Sequence, residues 1–436
     1  MFLLMTFLCL PACSPVYAES AENEARALAA RQGLVGVIDP SGREILPTAF
    51  EQAVILSGRR IAVKKQGLYG VYDADGQILI PAEYERLYVC ADGTLLLRNQ
   101  NGMWGAVSPS GAELLPFVYP EIYDGDNGVF CVRQENGYWR LMREQNIPVD
   151  DHGYELLSSF QEGRIAAKAN GKWGFLDYDG NFAVPAVYEE VRPFSDGLAP
   201  VRKNGQWGFA DTEGNEVIPP RFQGIVCGFR EGIAAVQQGK KTAFIDRSGN
   251  TVFTKDISAV LPFQNGIAEV RKTKKHLNVL SSILYGIGLG MGHIGLPPDD
   301  ILQKNEKRGY INAQGKDIVP TKYDAVQTCH DGVIVVKKGS HWGAFDTDGQ
   351  RILEFKYDAL RNFHDGLAAA RQGNEWSLID KQGNVKLTFP SFVQDVGEYG
   401  MGMIPFKKNS RWGYMNLQGE IVIEPVYTNV QPFGRN

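Results

Sequence analysis

The stretch Asn170-Gly-Lys-Trp-Gly-Phe-Leu-Asp-Tyr-Asp-Gly-Asn-Phe-Ala-Val-Pro-Ala-Val-Tyr-Glu-Glu-Val-Arg-Pro-Phe-Ser-Asp-Gly-Leu-Ala-Pro-Val-Arg-Lys203 decides the fold. Its first segment, around Trp173-Gly174, alternates in the manner of a strand. Asp177 to Gly180 then reads as a tight turn, with Asp offering a local side-chain acceptor and Gly a positive φ. A second apolar run ends at Pro185, which has no N–H to donate and so interrupts a ladder. An aromatic, Tyr188, follows. A second acid-Gly turn, Asp196-Gly197, opens a last strand, Leu198-Ala-Pro-Val201. The Asn204-Gly205 pair then signals a hairpin into the next copy.

That plan recurs through the chain. All seven tryptophans (Trp104, Trp139, Trp173, Trp207, Trp342, Trp376 and Trp412) fall in one column of it. Their spacing is 34 to 36 residues, apart from one gap of 135 between Trp207 and Trp342. Aligned on the residue after the aromatic, the units centre on Gly36, Gly70, Gly105, Arg140, Gly174, Gly208, Ala243, Gly309, Gly343, Ser377 and Gly413, eleven in all. Tyr69 replaces Trp in one unit; Val35, Thr242 and Arg308 replace it in three others. These four are expected to pack less surface. Each unit holds three or more short antiparallel strands and buries its apolar faces by stacking on its neighbours. The Trp column is read as the structural core of the repeat. The Gly after it is expected to admit a close backbone approach.

The Trp-Gly-aromatic-aliphatic-Asp strand, the Gly turn, the Ile-Pro-x-x-Tyr segment and the Phe-x-x-Gly-Leu-Ala-x-Val strand resemble the WG-repeat, or KWG-repeat, proteins of bacteria. The resemblance covers about residues 27–436 apart from one insertion. It implies an all-β repeat class often found in exported or envelope proteins, and it brings no catalytic residues. The expected fold is therefore all-β, a tandem array of about eleven 34-residue antiparallel repeats. An open or superhelical array is favoured over one or two β-propellers. Eleven short units fit a ring of four to eight blades poorly, and the phase of the units shows no strand exchanged between the termini.

The net charge of −5 excludes bulk attraction to nucleic acid. Paired bases close many units (Lys64-Lys65, Arg202-Lys203, Lys337-Lys338, Lys407-Lys408) and read as solvated hairpin ends or as a basic stripe. Residues 1–18 lie outside the repeat and read as an export signal. Met1 to Leu10 is apolar but too short to span a bilayer, and Val16-Tyr17-Ala18 fits a small-residue cleavage site. Leu10-Pro11-Ala12-Cys13 resembles a lipobox, making Cys13 the candidate lipid attachment residue. No Lys or Arg precedes Arg26, so the usual positive start is missing. Cys90, Cys131, Cys227 and Cys329 are expected to be small buried hydrophobes rather than bridges, since disulfides need Cα atoms within about 7 Å.

Residues 27–272 carry repeats 1–7 and residues 307–436 repeats 8–11. Between them lies a Gly-rich apolar insertion, 273–306, expected to form a loop on the array, a membrane- or partner-contacting flap, or, least favoured, a span. Gly290-Met-Gly-His-Ile-Gly295 matches the dinucleotide spacing by letter but lacks the βαβ setting that chemistry needs. His330-Asp331 and His364-Asp365 share an offset in adjacent units, where two imidazoles and two carboxylates could together hold a metal; surface turns explain them as well. The Asp-x-Asp-Gly turns lack the frame of a calcium loop. No cofactor, metal or catalytic residue is assigned. The functional expectation is a non-catalytic envelope scaffold with a protein partner. A glycan- or peptidoglycan-binding module, reaching envelope polysaccharide, is the alternative, followed by a hydrolase lidded by 273–306. Membrane association would run through Cys13 or the insertion.

Overall fold

The computed structural model describes residues 25–56, 60–90, 92–273 and 306–434. The export segment, Cys13 and nearly all of the 273–306 insertion lie outside these residues. Every described repeat becomes a four-stranded antiparallel sheet, and the described residues form eleven such sheets. They are numbered here as blades 1 to 11, with strands A to D in sheet order. Blade 6 is typical: Glu190–Val191, Leu198–Lys203, Gln206–Asp211 and Ile218–Phe222.

Strand A is often only two residues long. It follows the D strand of the preceding repeat, so the sheets are phased differently from the sequence units. In blade 1 the shift has a consequence. Strands B to D are Ala27–Arg31, Leu34–Ile38 and Glu44–Phe50, and strand A comes from the far end of the chain. Ala29 pairs with Val430 and Ala30 with Asn429, and Arg26 bridges to Gly434. The preference for an open array without strand exchange is thereby corrected: the chain ends share one sheet, as in the propeller alternative. A two-residue strand carries too little alternation to be read as one.

The chain forms two compact units, one built from Tyr88–Lys322 and the other from the residues before Tyr88 together with Tyr323 onward. The first holds blades 3 to 8. The second holds blades 9, 10, 11, 1 and 2. Within each, neighbouring blades pack face to face, so both faces of a blade lying between two others are covered. This explains why strand B is apolar over most of its length, as in Ala368–Ala370 of blade 10, where every residue is buried. In blade 5, Trp173 and Phe175 face blade 6 and pack with Phe194, Ala199 and Val201. Leu176 faces the other way, onto Trp139 and Leu141 of blade 4.

The Trp-Gly pair is a two-residue device. Trp173, Trp207, Trp342 and Trp412 pair across strands C and D with Tyr188, Phe222, Tyr357 and Tyr427. Immediately after each Trp, strand D bulges and swings its backbone over the Gly. A Cβ on Gly208 would stand 2.4 Å from the carbonyl oxygen of Ile218, and one on Gly174 2.5 Å from that of Val184. Glycine is required there for space. The bulge and the Pro in most D strands also leave the outer edge a poor template for another strand.

Candidate interaction surfaces

Hairpin connectivity gives each blade two ends. The A–B and C–D turns form a turn end, and the B–C hairpin and the link from strand D onward form a hairpin end. At the turn end the recurring acid of the A–B turn adopts a left-handed conformation, as at Glu162, Asp196, Glu231 and Asp331. Its carboxylate accepts a backbone N–H from the next blade. Glu162 takes Gly197 at 2.8 Å, Asp196 takes Gly232 at 2.9 Å, and Asp331 takes Gly366 at 2.6 Å. Glu231 takes both Asn265 and Gly266, at 2.7 and 2.8 Å. These are charge-assisted latches between blades.

The C–D turns are closed by their own first residue. Asp177 Oδ1 accepts the N–H groups of Asp179 and Asn181, both at 2.9 Å, and Asp346 does the same for Asp348 and Gln350. Hydrogen bonds from Asn384, and then Lys386, hold the Asp380 carboxyl well below the usual carboxylate range. These Asp-Gly turns, calcium-like by composition, thus spend their carboxylates on their own backbone.

The hairpin end has a second latch, inside each blade. An acid or amide just before strand A accepts the N–H of the B–C hairpin glycine: Glu51 from Gly67, Glu155 from Gly171, Glu189 from Gly205, Asp324 from Gly339 and Asp358 from Gly373. No sequence pattern announced this column, because its residue type varies and it lies about half a repeat from its partner. The recurring bases sit beside it. The first of each pair lies across from the column aromatic: Lys64 from Tyr69, Arg202 from Trp207, Lys337 from Trp342 and Lys407 from Trp412. Three of these lie over the ring itself, at 5.3 to 5.7 Å.

The tryptophans differ in burial. Trp139, Trp207 and Trp376 are buried, whereas Trp104, Trp173, Trp342 and Trp412 are half-buried. They belong to separate interfaces between blades rather than to one continuous seam. The insertion's position is also defined by its flanks: Thr273 pairs with Glu306. Strands B and C of blade 8 therefore flank residues 274–305 in the chain.

His330 and His364 do stand together, with ring centroids 5.3 Å apart. His364 Nε2 lies 3.2 Å from Glu398 Oε2 of blade 11. Of the two carboxylates expected beside them, Asp331 is held elsewhere, by Gly366 N–H and by Lys381 at 3.2 Å. Among the described residues no group of three His, Cys, Asp or Glu is placed to hold a metal ion. Burial, then the neighbouring His364, lowers the pKa of His330 below its ordinary value, with Glu398 opposing. Cys90, Cys131, Cys227 and Cys329 are all unbridged. Burial pushes the Cys227 thiol up to about 11, against the pull of Arg192, so it is a poor nucleophile near neutrality. No described helix is long and apolar enough to cross a membrane.

A family model described as "WG containing repeat" matches residues 69–101, 104–139, 151–173, 173–207, 207–241, 243–275, 309–340, 342–376 and 412–436. No curated protein matches the chain. Among solved structures, a eukaryotic initiation factor is 12% identical over 84% of this chain and 95% of that chain, with a TM-score of 0.43. BamB from Moraxella catarrhalis is 12% identical over 68% of this chain and 94% of that one, with a TM-score of 0.32. PorZ of Porphyromonas gingivalis is 12% identical over 90% and 63%, with a TM-score of 0.24. Likeness at this level says nothing about activity.

Proposed function

Since the chain belongs to the WG containing repeat family, we propose that it is a non-catalytic binding scaffold that presents a repetitive β surface to a protein partner. The observation that carries this reading is the double set of latches. Recurrent acids at both ends bind backbone N–H groups, between blades at one end and within blades at the other. They hold turns and hairpins at fixed intervals of one repeat. Such pre-ordered loops lower the entropy lost when a partner docks. The reading of residues 1–18 as an export signal supports a place for this scaffold in the cell envelope or beyond, with Cys13 as its candidate anchor.

The glycan-binding alternative has less support. Stacking on a sugar needs a free ring face, and Trp342, Trp376 and Trp412 each carry a Lys or Arg over the ring. The hydrolase alternative rests on a lid that lies outside the described residues. The test is photo-crosslinking from the B–C hairpins of the full chain in cells, with an unfolded variant as reference. A defined protein captured by the native chain alone supports the scaffold; capture no greater than that by the reference sinks it.

A further inference from the structure

The two units differ in their hairpin lysines. In the first, several of the bases are paired with acids. Lys168 lies 3.7 Å from Glu155, Arg202 3.2 Å from Glu190, Lys203 2.9 Å from Glu216, and Lys272 2.6 Å from Asp256. Lys172 of blade 5 and Lys240 and Lys241 of blade 7 have no such partner among the described residues. In the second unit, Lys64, Lys65, Lys337, Lys338, Lys407 and Lys408 all lack a carboxylate within 4 Å among the described residues. Their nearby acids Glu51, Asp324 and Asp358 each hold a hairpin glycine, Asp358 also lying 3.7 Å from His341, while Arg31 of blade 1 is paired with Glu44 at 3.7 Å. Six lysines thus stand at one end of a five-blade unit, in a chain whose net charge is −5.

The surface is also partly apolar. Leu34 in the blade 1 hairpin is 39% exposed, Phe392 is 40% exposed with Lys408 4.6 Å above its ring, and Val426 is 42% exposed. An acidic polysaccharide would match the charge and leave these apolar groups unused. Lysine offers a point charge without the planar fork of arginine, which suits flexible carboxylates. We propose that the hairpin end of blades 9, 10, 11, 1 and 2 docks an acidic protein segment in which Asp or Glu alternates with apolar side chains. This rests on the scaffold reading and names the partner's chemistry.

The probe is a synthetic twelve-residue peptide of alternating Glu and Leu, titrated into the full chain and followed by tryptophan fluorescence. Alginate and phosphatidylglycerol vesicles are run in parallel. Binding to the peptide is expected to weaken with salt and to fall about tenfold or more in the triple variant Lys65→Glu, Lys338→Glu, Lys408→Glu. The control triple Lys172→Glu, Lys203→Glu, Lys272→Glu, in the other unit, is expected to bind as the native chain does. If the Glu triple fails to fold, the corresponding Lys→Gln triple is read instead. The proposal is overturned if the peptide does not bind, if both triples bind alike, or if alginate or vesicles bind more tightly than the peptide. The crosslinking experiment separates the two readings. A protein captured equally by the native chain and the Lys65/Lys338/Lys408 variant leaves the scaffold standing and removes this surface. No captured protein removes the scaffold itself.

Discussion

The glycine after most of the column aromatics is where one atom decides a sheet. Gly208→Ala would drive a methyl group into the backbone of Ile218, which cannot swing aside as a side chain would. A loss of about 2 kcal/mol or more is expected in urea unfolding. Gly224→Ala is the control, because its Cβ would meet only Gln237 at an ordinary 3.5 Å. Two titrating groups each lower stability on acidification, in different pH ranges. Burial holds His330 in its neutral form, with a folded pKa below the ordinary 6.5. The unfolded chain therefore takes up that proton first, and stability is expected to fall as pH drops through about 6.5. His330→Gln should flatten the thermal-melting profile in that range. Asp39 contributes at lower pH. Its burial opposes charge, but hydrogen bonds from Ser41 and Arg43 outweigh it and lower the pKa from 3.8. Its stabilisation is present above about pH 4 and is lost as pH falls through the folded value. Asp39→Asn should remove that acid-side slope.

At the scale of the element, a blade is secured at its turns as well as through its faces. Glu231 holds two N–H groups of the following blade. Glu231→Ala is expected to weaken the joint by about 1 kcal/mol. Faster hydrogen exchange at Asn265 and Gly266, with little change at Gly171, would report it. The strands B to D and their turns were legible in the sequence because each has a strong local cause: alternation, an Asp-Gly or Asn-Gly turn, a Pro. The close approach at the Trp-Gly pair was legible for the same reason. Both latches were not. Their donors are backbone amides, which leave no mark in a sequence, and their acceptors vary among Glu, Asp and Gln. The histidine pair illustrates the limit of offset reasoning. Equal spacing brought the rings together, yet Asp331 was taken by a glycine amide of the next blade.

At the scale of the molecule, the shared first sheet is what the repeat pattern concealed. Val430 and Asn429 pair with Ala29 and Ala30. Phe433 is 2% exposed, in a cluster with Ala25, Ala27, Met403 and Tyr414. Phe433→Ala should cost about 3 kcal/mol or more, and limited proteolysis should then cut first near Ala27–Arg31. Because residue 26 already meets residue 434, the sheets themselves do not dictate the order in which their strands follow one another along the chain. A circular permutant could join those two residues by a short linker and open the exposed Asn204-Gly205 hairpin as its new termini. Such a protein should fold and melt much as the parent does, whereas one opened within strand B of any blade should not.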